Sequence, residues 1–94
     1  MDLQLTGKVA LVTGASAGIG RTIARLLAAE GCRLAILARR RHLLEALAAE
    51  LPGSAQALIL VEDVTDPGAA ARIRDAVLDR FGRIDILVNN AGGS

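Results

Sequence analysis

Short apolar runs alternate along the chain with segments whose apolar residues recur at helical spacing. The apolar runs have strand length and lie at residues 8–13, 33–38, 57–61 and 84–88. Between them, apolar residues repeat every three or four positions, as on one face of a helix. The three stripes are Ile19, Ile23, Leu26 and Leu27; Leu43, Leu44, Leu47 and Leu51; and Ile73, Val77 and Phe81. The pattern predicts the element order β-α-β-α-β-α-β.

Turn and capping residues mark the ends of the predicted helices. Gly31 and Gly82 stand just past the first and third stripes, where glycine often caps a helix C-terminus. A proline–glycine pair at 52–53 stops the second helix. Asp66 followed by Pro67 predicts an N-cap and a first helical residue for the third helix.

Strands that alternate with helices through short connections imply a parallel sheet with right-handed crossovers. The expected fold class is α/β, a Rossmann-like doubly wound sheet with strand order 3-2-1-4. Ligands bind such a sheet beyond the carboxyl ends of its strands, at the switch point between strands 1 and 4. Because strand 4 would be an exposed apolar edge, we expect residues 1–94 to be the N-terminal part of one larger domain, with coverage of that edge by something else as the alternative.

Composition limits the partners and the location that we expect. Apolar residues make up 52% of the 94 residues, which favours helix-covered parallel strands over a disordered chain. The net charge of +1 gives no indication of a nucleic-acid partner, and no apolar run is long enough to span a membrane. A single cysteine, Cys32, and the lack of a secretory signal predict a cytoplasmic protein. The sequence offers no paired cysteines and histidines, so we predict no metal site.

The segment Thr-Gly-Ala-Ser-Ala-Gly-Ile-Gly at residues 13–20 joins the first strand to the first helix. A turn without bulky side chains lets backbone N–H groups approach a diphosphate, and the helix N-terminus adds positive partial charge. Its glycines, at positions 14, 18 and 20, match neither the P-loop nor the G-x-G-x-x-G spacing. The segment predicts a dinucleotide site, with an ordinary glycine-rich connection as the alternative.

Three motifs together resemble the cofactor-binding segments of the short-chain dehydrogenase/reductase (SDR) family. They are the turn at 13–20, Asp63-Val64 after strand 3, and Asn89-Asn90-Ala91-Gly92 after strand 4. The resemblance covers nearly the whole chain and implies an NAD(P)-binding domain. The residues that it places at the cofactor are Gly14, Ser16, Ala17, Gly18, Ile19, Gly20, Asp63, Val64, Asn90, Ala91 and Gly92.

The resemblance also implies a role for each motif. The turn would line the diphosphate and its ribose, with Gly18 permitting close backbone approach. Asp63 would hydrogen-bond the adenine amino group, with the backbone of Val64 beside it; the alternative is a turn residue at a strand end. Residues 90–92 would follow the ribose on the nicotinamide side, and the two asparagines could also tie strand 4 to the turn after strand 1.

The end of strand 2 distinguishes NAD from NADP by charge. NAD-preferring folds place an acid there, on the ribose 2′-hydroxyl, whereas arginine accommodates the 2′-phosphate of NADP. This chain has Ala38 followed by Arg39 and Arg40. Because positive charge is unfavourable at a helix N-terminus, an anionic ligand explains the arginines better than a solvated basic turn.

We therefore predict NADP(H) over NAD(H), with Arg39 as the first phosphate contact and Arg40 as the second. One position departs from the family pattern. Many NADP-preferring members carry another basic residue before the middle glycine of the turn, where this chain has Ala17.

The catalytic residues of the family have no counterpart in the chain. By resemblance, hydride transfer uses a Tyr-x-x-x-Lys pair and an upstream serine. The chain has no tyrosine, its only lysine is Lys8 before strand 1, and Ser94 comes too early. We expect the cofactor-binding half of an NADP(H)-dependent carbonyl or alcohol oxidoreductase, inactive alone and homo-oligomeric at full length. The alternatives are a non-catalytic nucleotide-binding module and a fragment without independent function.

Overall fold

The computed structural model describes residues 4–52 and 57–90. In this part of the chain, strands and helices alternate in the predicted order. They are β1 (Val9–Thr13), α1 (Gly18–Ala29), β2 (Arg33–Ala38), α2 (Arg41–Glu50), β3 (Leu58–Val61), α3 (Ala69–Phe81) and β4 (Ile86–Val88).

The strands form one parallel sheet with the order β3-β2-β1-β4. The predicted 3-2-1-4 order and the Rossmann-like doubly wound fold are confirmed. In the register, Val12 of β1 pairs with Ile36 of β2 and with Val88 of β4. Because the strands are parallel, they all end at the same edge of the sheet, and the residues that follow β1 and β4 lie side by side.

Helices cover both faces of the sheet. Helices α1 and α2 pack on the face that carries Val12 and Ile36, and α3 packs on the opposite face through Ile73 and Val77. Residues 9–12 and 34–38 are buried at every position. Burial on both faces explains why the apolar runs of β1 and β2 are continuous instead of alternating.

The predicted apolar face of α1 is wrong in part. The buried residues of this helix are Gly20, Ala24 and Ala28, whereas Ile19 and Leu26 are 70% and 62% exposed. The helix therefore lies against the sheet along a line of small residues, which allows the two backbones to approach closely.

The helix ends agree with the sequence at three of four positions, including the end of α2 at Glu50, just before Pro52. Gly31 follows α1 with a φ of 89°, and Gly82 caps α3 with a φ of 78°, so both predicted caps are confirmed. The predicted N-cap role of Asp66 is wrong, because α3 begins at Ala69 after Gly68. Asp66 instead closes a turn before the helix, where its Oδ1 accepts the N–H of Gly68 at 3.0 Å.

Strand β4 pairs with β1 at one edge of the described sheet. Its Leu87 pairs with Leu11 and is 63% exposed, on the face that α3 covers. Within the described residues, β4 is thus the apolar edge that the sequence predicts.

Asp85 fastens the start of β4 to β1. Its N–H donates to the Val9 carbonyl at 2.9 Å, and its Oδ2 accepts the Val9 N–H at 2.8 Å. Arg83 donates to the Asp85 Oδ1 at 2.7 Å. The Arg83 guanidinium, and after it the Val9 N–H, hold the pKa of Asp85 below its ordinary value. Such a carboxylate stabilises the fold above its unfolded-state pKa, and the contribution is lost as the pH falls through the folded-state pKa.

We expect Asp85→Asn to lower the melting temperature at about pH 7, and the difference from wild type to shrink as the pH falls below the ordinary aspartate pKa of about 3.9. At low pH the wild-type carboxyl is protonated and resembles the amide, so the two proteins converge. Thermal unfolding followed by circular dichroism across this range measures the difference. Asp75→Asn is the control, since Asp75 is 70% exposed and pairs with its neighbour Arg74. If the difference in melting temperature between Asp85→Asn and wild type did not depend on pH, the stabilising role of the Asp85 carboxylate would be contradicted.

Candidate functional site

The turn between β1 and α1 lies at the switch point of the sheet. Gly14 and Gly18 have φ angles of 62° and 59°, in the left-handed region that favours glycine. The N–H of Ala15 donates to the Leu37 carbonyl of β2 at 3.0 Å. The turn is thus held against the end of β2, and α1 begins directly after it.

Gly20 sets how closely α1 approaches this turn. It is buried in the first turn of the helix. A Cβ at this position would clash with the Gly14 carbonyl and lie 2.8 Å from Asn90 Nδ2, whereas a Cβ at Gly18 would meet nothing within 4 Å. Glycine is therefore needed at position 20 for packing within the protein, and at position 18 for its backbone conformation.

The residues after β4 are hydrogen-bonded to the end of β1. The N–H of Asn90 donates to Thr13 Oγ1 at 2.9 Å, and Asn90 Nδ2 donates to the Gly14 carbonyl at 3.4 Å. The Thr13 hydroxyl lies 3.3 Å from both the Val88 carbonyl and Asn89 Oδ1. The structural role considered for the asparagines is observed. Thr13 takes part in three of these bonds through its hydroxyl. The sequence patterns assigned no role to this hydroxyl. Its position directly before the first glycine of the turn is the one signal that could have predicted such a role.

The N-terminus of α1, which carries the first backbone N–H groups of the helix, lies at the same edge of the sheet. Ala17 is the N-cap residue, and in the described part of the chain no side chain caps the helix and its first turn holds no acidic residue. Ser16 is buried, and Ile19 is exposed. The first N–H groups of a helix carry the positive end of its dipole, so this end suits an anionic group.

Two arginines stand at the end of β2. Arg39 and Arg40 are exposed, and Arg40 is the N-cap residue of α2, whose described first turn contains no acidic residue. The predicted placement of positive charge at a helix N-terminus is thus observed. Ala38 pairs with Val61, and the N–H of Glu62 donates to the Ala38 carbonyl at 3.2 Å. Arg39 therefore follows its strand beside the loop that follows β3.

That loop carries Asp63 as an exposed carboxylate in a fixed turn. Its Oδ1 accepts the N–H of Thr65 at 2.9 Å and the Thr65 hydroxyl at 2.6 Å. These bonds, and to a smaller extent the positive charge of Arg39, lower the pKa of Asp63. Asp63 is consequently ionised at neutral pH. The next residue, Val64, is 61% exposed. Sequence patterns did not single out Thr65, which lies two residues past Asp63 as in many aspartate turns.

The structure brings the predicted residues to the carboxyl edge of the sheet in two groups. The first is the β1–α1 turn with Asn90, and the second is the arginine pair with the Asp63 loop. Ala91 and Gly92 lie outside the described residues. Residues 4–52 and 57–90 contain no cluster of acidic, histidine or cysteine side chains that could hold a metal ion. Among the helices of these residues, none is long and apolar enough to cross a membrane.

A doubly wound parallel sheet with a glycine turn and an uncapped helix N-terminus at its switch point defines a Rossmann-like nucleotide-binding fold. A model of the short chain dehydrogenase family matches residues 8–94. The chain therefore belongs to the short chain dehydrogenase family. It is 48% identical over 94 residues, 100% of its length, to 1,6-dihydroxycyclohexa-2,4-diene-1-carboxylate dehydrogenase of Pseudomonas putida.

Two solved structures are similar to this chain in fold and in sequence. L-Sorbose reductase from Gluconobacter frateurii, complexed with NADPH and L-sorbose, is 39% identical and superposes on 98% of the chain with a TM-score of 0.87. The 3-ketoacyl-(acyl-carrier-protein) reductase from Brucella melitensis, complexed with NADH, is 39% identical and superposes on 94% with a TM-score of 0.85. The chain spans 35% of the Pseudomonas dehydrogenase and 36% of each reductase, about a third of their lengths.

Proposed function

We propose that this chain binds a nicotinamide dinucleotide, NADP(H) in preference to NAD(H), in an oxidoreductase that interconverts a carbonyl and an alcohol. The observation that carries the proposal is the bonding of the β1–α1 turn to Asn90 at the switch point of the sheet. Family membership supports the class of ligand, because the two similar reductases were solved with NADPH or NADH.

The turn fits a dinucleotide diphosphate by its backbone. In the described structure, the N-terminus of α1 has neither a side-chain cap nor an acidic residue, so its N–H groups and dipole favour an anion. Gly18 leaves space where a side chain would stand, and Gly20 keeps α1 against the Gly14 carbonyl. The residues that would hold the diphosphate and its ribose are Gly14, Ser16, Ala17, Gly18, Ile19 and Gly20.

The second group of residues fits the adenosine end. Asp63, an exposed carboxylate held by Thr65, would accept a hydrogen bond from the adenine amino group, with Val64 beside it. Arg39 would bind the 2′-phosphate, with Arg40 as the second contact. The support for NADP(H) is the pair of exposed arginines at the end of β2 and the lack of an acid in the described first turn of α2.

The segment after β4 would serve the nicotinamide end. Asn90, Ala91 and Gly92 would follow the ribose on the nicotinamide side, and the bound nicotinamide would supply the hydride donor or acceptor. We assign no catalytic role within the chain, because it has no tyrosine and its lysine, Lys8, precedes β1 at the opposite edge of the sheet. In the oxidoreductase that we propose, substrate activation would depend on residues other than these 94.

Cofactor titration of the natural protein tests the proposal. NADPH fluorescence should report saturable binding with a Kd at least about tenfold lower than that of NADH, because arginine pairs with the 2′-phosphate. NADPH oxidation in the presence of a panel of ketones and aldehydes then tests hydride transfer. Binding with turnover supports the oxidoreductase. Binding without turnover on any substrate would favour a nucleotide-binding module, and a failure to bind either nucleotide would contradict both.

A further inference from the structure

Arg72, in the first turn of α3, reaches back to the loop that carries Asp63. Its Nε donates to Glu62 Oε2 at 3.0 Å, and its Nη2 donates to Glu62 Oε1 at 2.8 Å. The same Nη2 donates to Asp66 Oδ2 at 2.9 Å. Glu62 precedes Asp63 directly, and Asp66 follows it by three residues. One guanidinium therefore bridges the two ends of the segment that contains Asp63.

Hydrogen bonds within the loop extend this bridge to Asp63. The N–H of Asp66 donates to the Asp63 carbonyl at 3.0 Å. Asp66 also accepts the N–H of Gly68 through Oδ1 at 3.0 Å, which joins the loop to the start of α3. Thr65 holds the Asp63 carboxylate from inside the loop. Arg72 thus acts on Asp63 through the residues on either side of it.

The geometry of the Arg72 contacts suits orientation more than stabilisation. The Arg72 side chain is 51% exposed, and ion pairs at such positions contribute little to stability. Glu62, however, is 19% exposed and receives two parallel N–H bonds. A planar guanidinium that binds a carboxylate with two donors fixes the direction of that carboxylate. These bonds favour the observed arrangement of the loop around Asp63.

We infer that Arg72 is a positioning residue for cofactor binding, which holds the β3–α3 loop so that the Asp63 carboxylate faces the adenine amino group. The inference rests on the proposed function. It assigns to Arg72 no contact with the dinucleotide, and it makes the recognition of adenine depend on a side chain from the first turn of α3.

The test compares two nucleotides in the natural protein and in Arg72→Gln. One is NADPH, and the other is its hypoxanthine analogue, which carries an oxo group in place of the adenine amino group. A hydrogen bond to a charged group contributes appreciably to binding. We therefore expect Arg72→Gln to raise the Kd of NADPH about tenfold and the Kd of the analogue less than about twofold. Glu62→Gln, which weakens the same bridge from its other side, should shift the ratio of the two Kd values in the same direction.

Arg74→Gln is the matched control. Arg74 lies on the same helix, is 62% exposed, and pairs with its neighbour Asp75; its replacement should leave both Kd values unchanged. If Arg72→Gln lost affinity equally for both nucleotides, or for neither, the positioning role would be overturned. Failure of the natural protein to bind NADPH at all would instead overturn the proposed function. The ratio of Kd values within one variant is measured on folded protein, so it does not depend on a change in stability.

Discussion

Gly20→Ala is expected to destabilise the protein by about 2 kcal/mol, although alanine normally stabilises a helix by about 1 kcal/mol relative to glycine. The reason is steric. The added methyl would clash with the Gly14 carbonyl oxygen and lie 2.9 Å from its carbon and 2.8 Å from Asn90 Nδ2. Asn90 can rotate, but the backbone of Gly14 cannot, since its φ of 62° is part of the turn. Helix α1 must therefore move away from the turn.

The same movement should weaken the binding of the dinucleotide. It separates the N-terminus of α1 from the Gly14 turn. The added methyl also displaces the Asn90 amide and lengthens its bond to the Gly14 carbonyl, which is already 3.4 Å long. A loss of about 2 kcal/mol in binding corresponds to roughly a thirtyfold higher Kd for NADPH. NADH should be affected to the same extent, because the turn lies at the part that the two nucleotides share.

Urea denaturation and NADPH titration of the purified variant measure the two effects. Thr22→Ala is the control within the same helix, because Thr22 is exposed and its hydroxyl bonds the Gly18 carbonyl of its own helix. It should change the free energy of unfolding by less than about 0.5 kcal/mol. If Gly20→Ala proved as stable as wild type and bound NADPH equally well, the result would contradict the claim that α1 needs glycine at position 20 to approach the turn.

The sheet could be predicted from the sequence because its determinants are local or follow from topology. Continuous apolar runs mark strands that are buried on both faces, and alternation with helices fixes parallel order. Parallel order in turn brings the ends of β1 and β4 together, so Gly14 and Asn90 could be expected at one edge. Their hydrogen bond follows from chain topology and a side-chain amide of suitable length.

Contacts that depend on size and side-chain conformation could not be predicted in this way. The stripe that contains Ile19 and Leu26 has helical spacing, yet Gly20, Ala24 and Ala28 face the sheet. Hydrophobicity alone favours the larger residues, whereas the distance between backbones favours the smaller ones.

The partners of long polar side chains present the same difficulty. Arg72 bonds Glu62 ten residues earlier and across a loop, and no period in the sequence encodes that separation. Asp66 stands before a proline as an N-cap would, but its Oδ1 closes an earlier turn. Both outcomes depend on how the β3–α3 loop folds, and that conformation is set by several competing hydrogen bonds.

Arg39→Asp is expected to invert the nucleotide preference, with NADPH bound about 100-fold more weakly and NADH changed by less than about threefold. The substitution replaces the proposed phosphate ligand with a charge that repels phosphate. A carboxylate at the end of β2 also accepts a hydrogen bond from the ribose 2′-hydroxyl, which offsets other losses for NADH. Asp63 stays ionised in the variant, because the larger causes of its lowered pKa are the hydrogen bonds of Thr65.

A charge-matched control separates this local effect from the loss of positive charge on the whole protein. Arg33→Asp changes the net charge by the same amount, and Arg33 is the first residue of β2, whereas Arg39 follows the last residue of that strand. Six residues of strand at about 3.3 Å each place Arg33 roughly 16–20 Å from Arg39, beyond the Debye length of about 8 Å at physiological salt. Its Kd ratio for NADPH over NADH should equal that of wild type.

The two variants therefore distinguish a phosphate site from a solvated basic turn. A phosphate site predicts that the nucleotide preference inverts in Arg39→Asp and does not change in Arg33→Asp. It also predicts that raised salt lowers the affinity of the wild type for NADPH more steeply than its affinity for NADH. A solvated turn predicts equal, small changes in the ratio of the two Kd values in both variants. If Arg39→Asp kept the wild-type ratio while both nucleotides still bound, the dinucleotide site would stand and the preference for NADP(H) would have to come from residues other than Arg39.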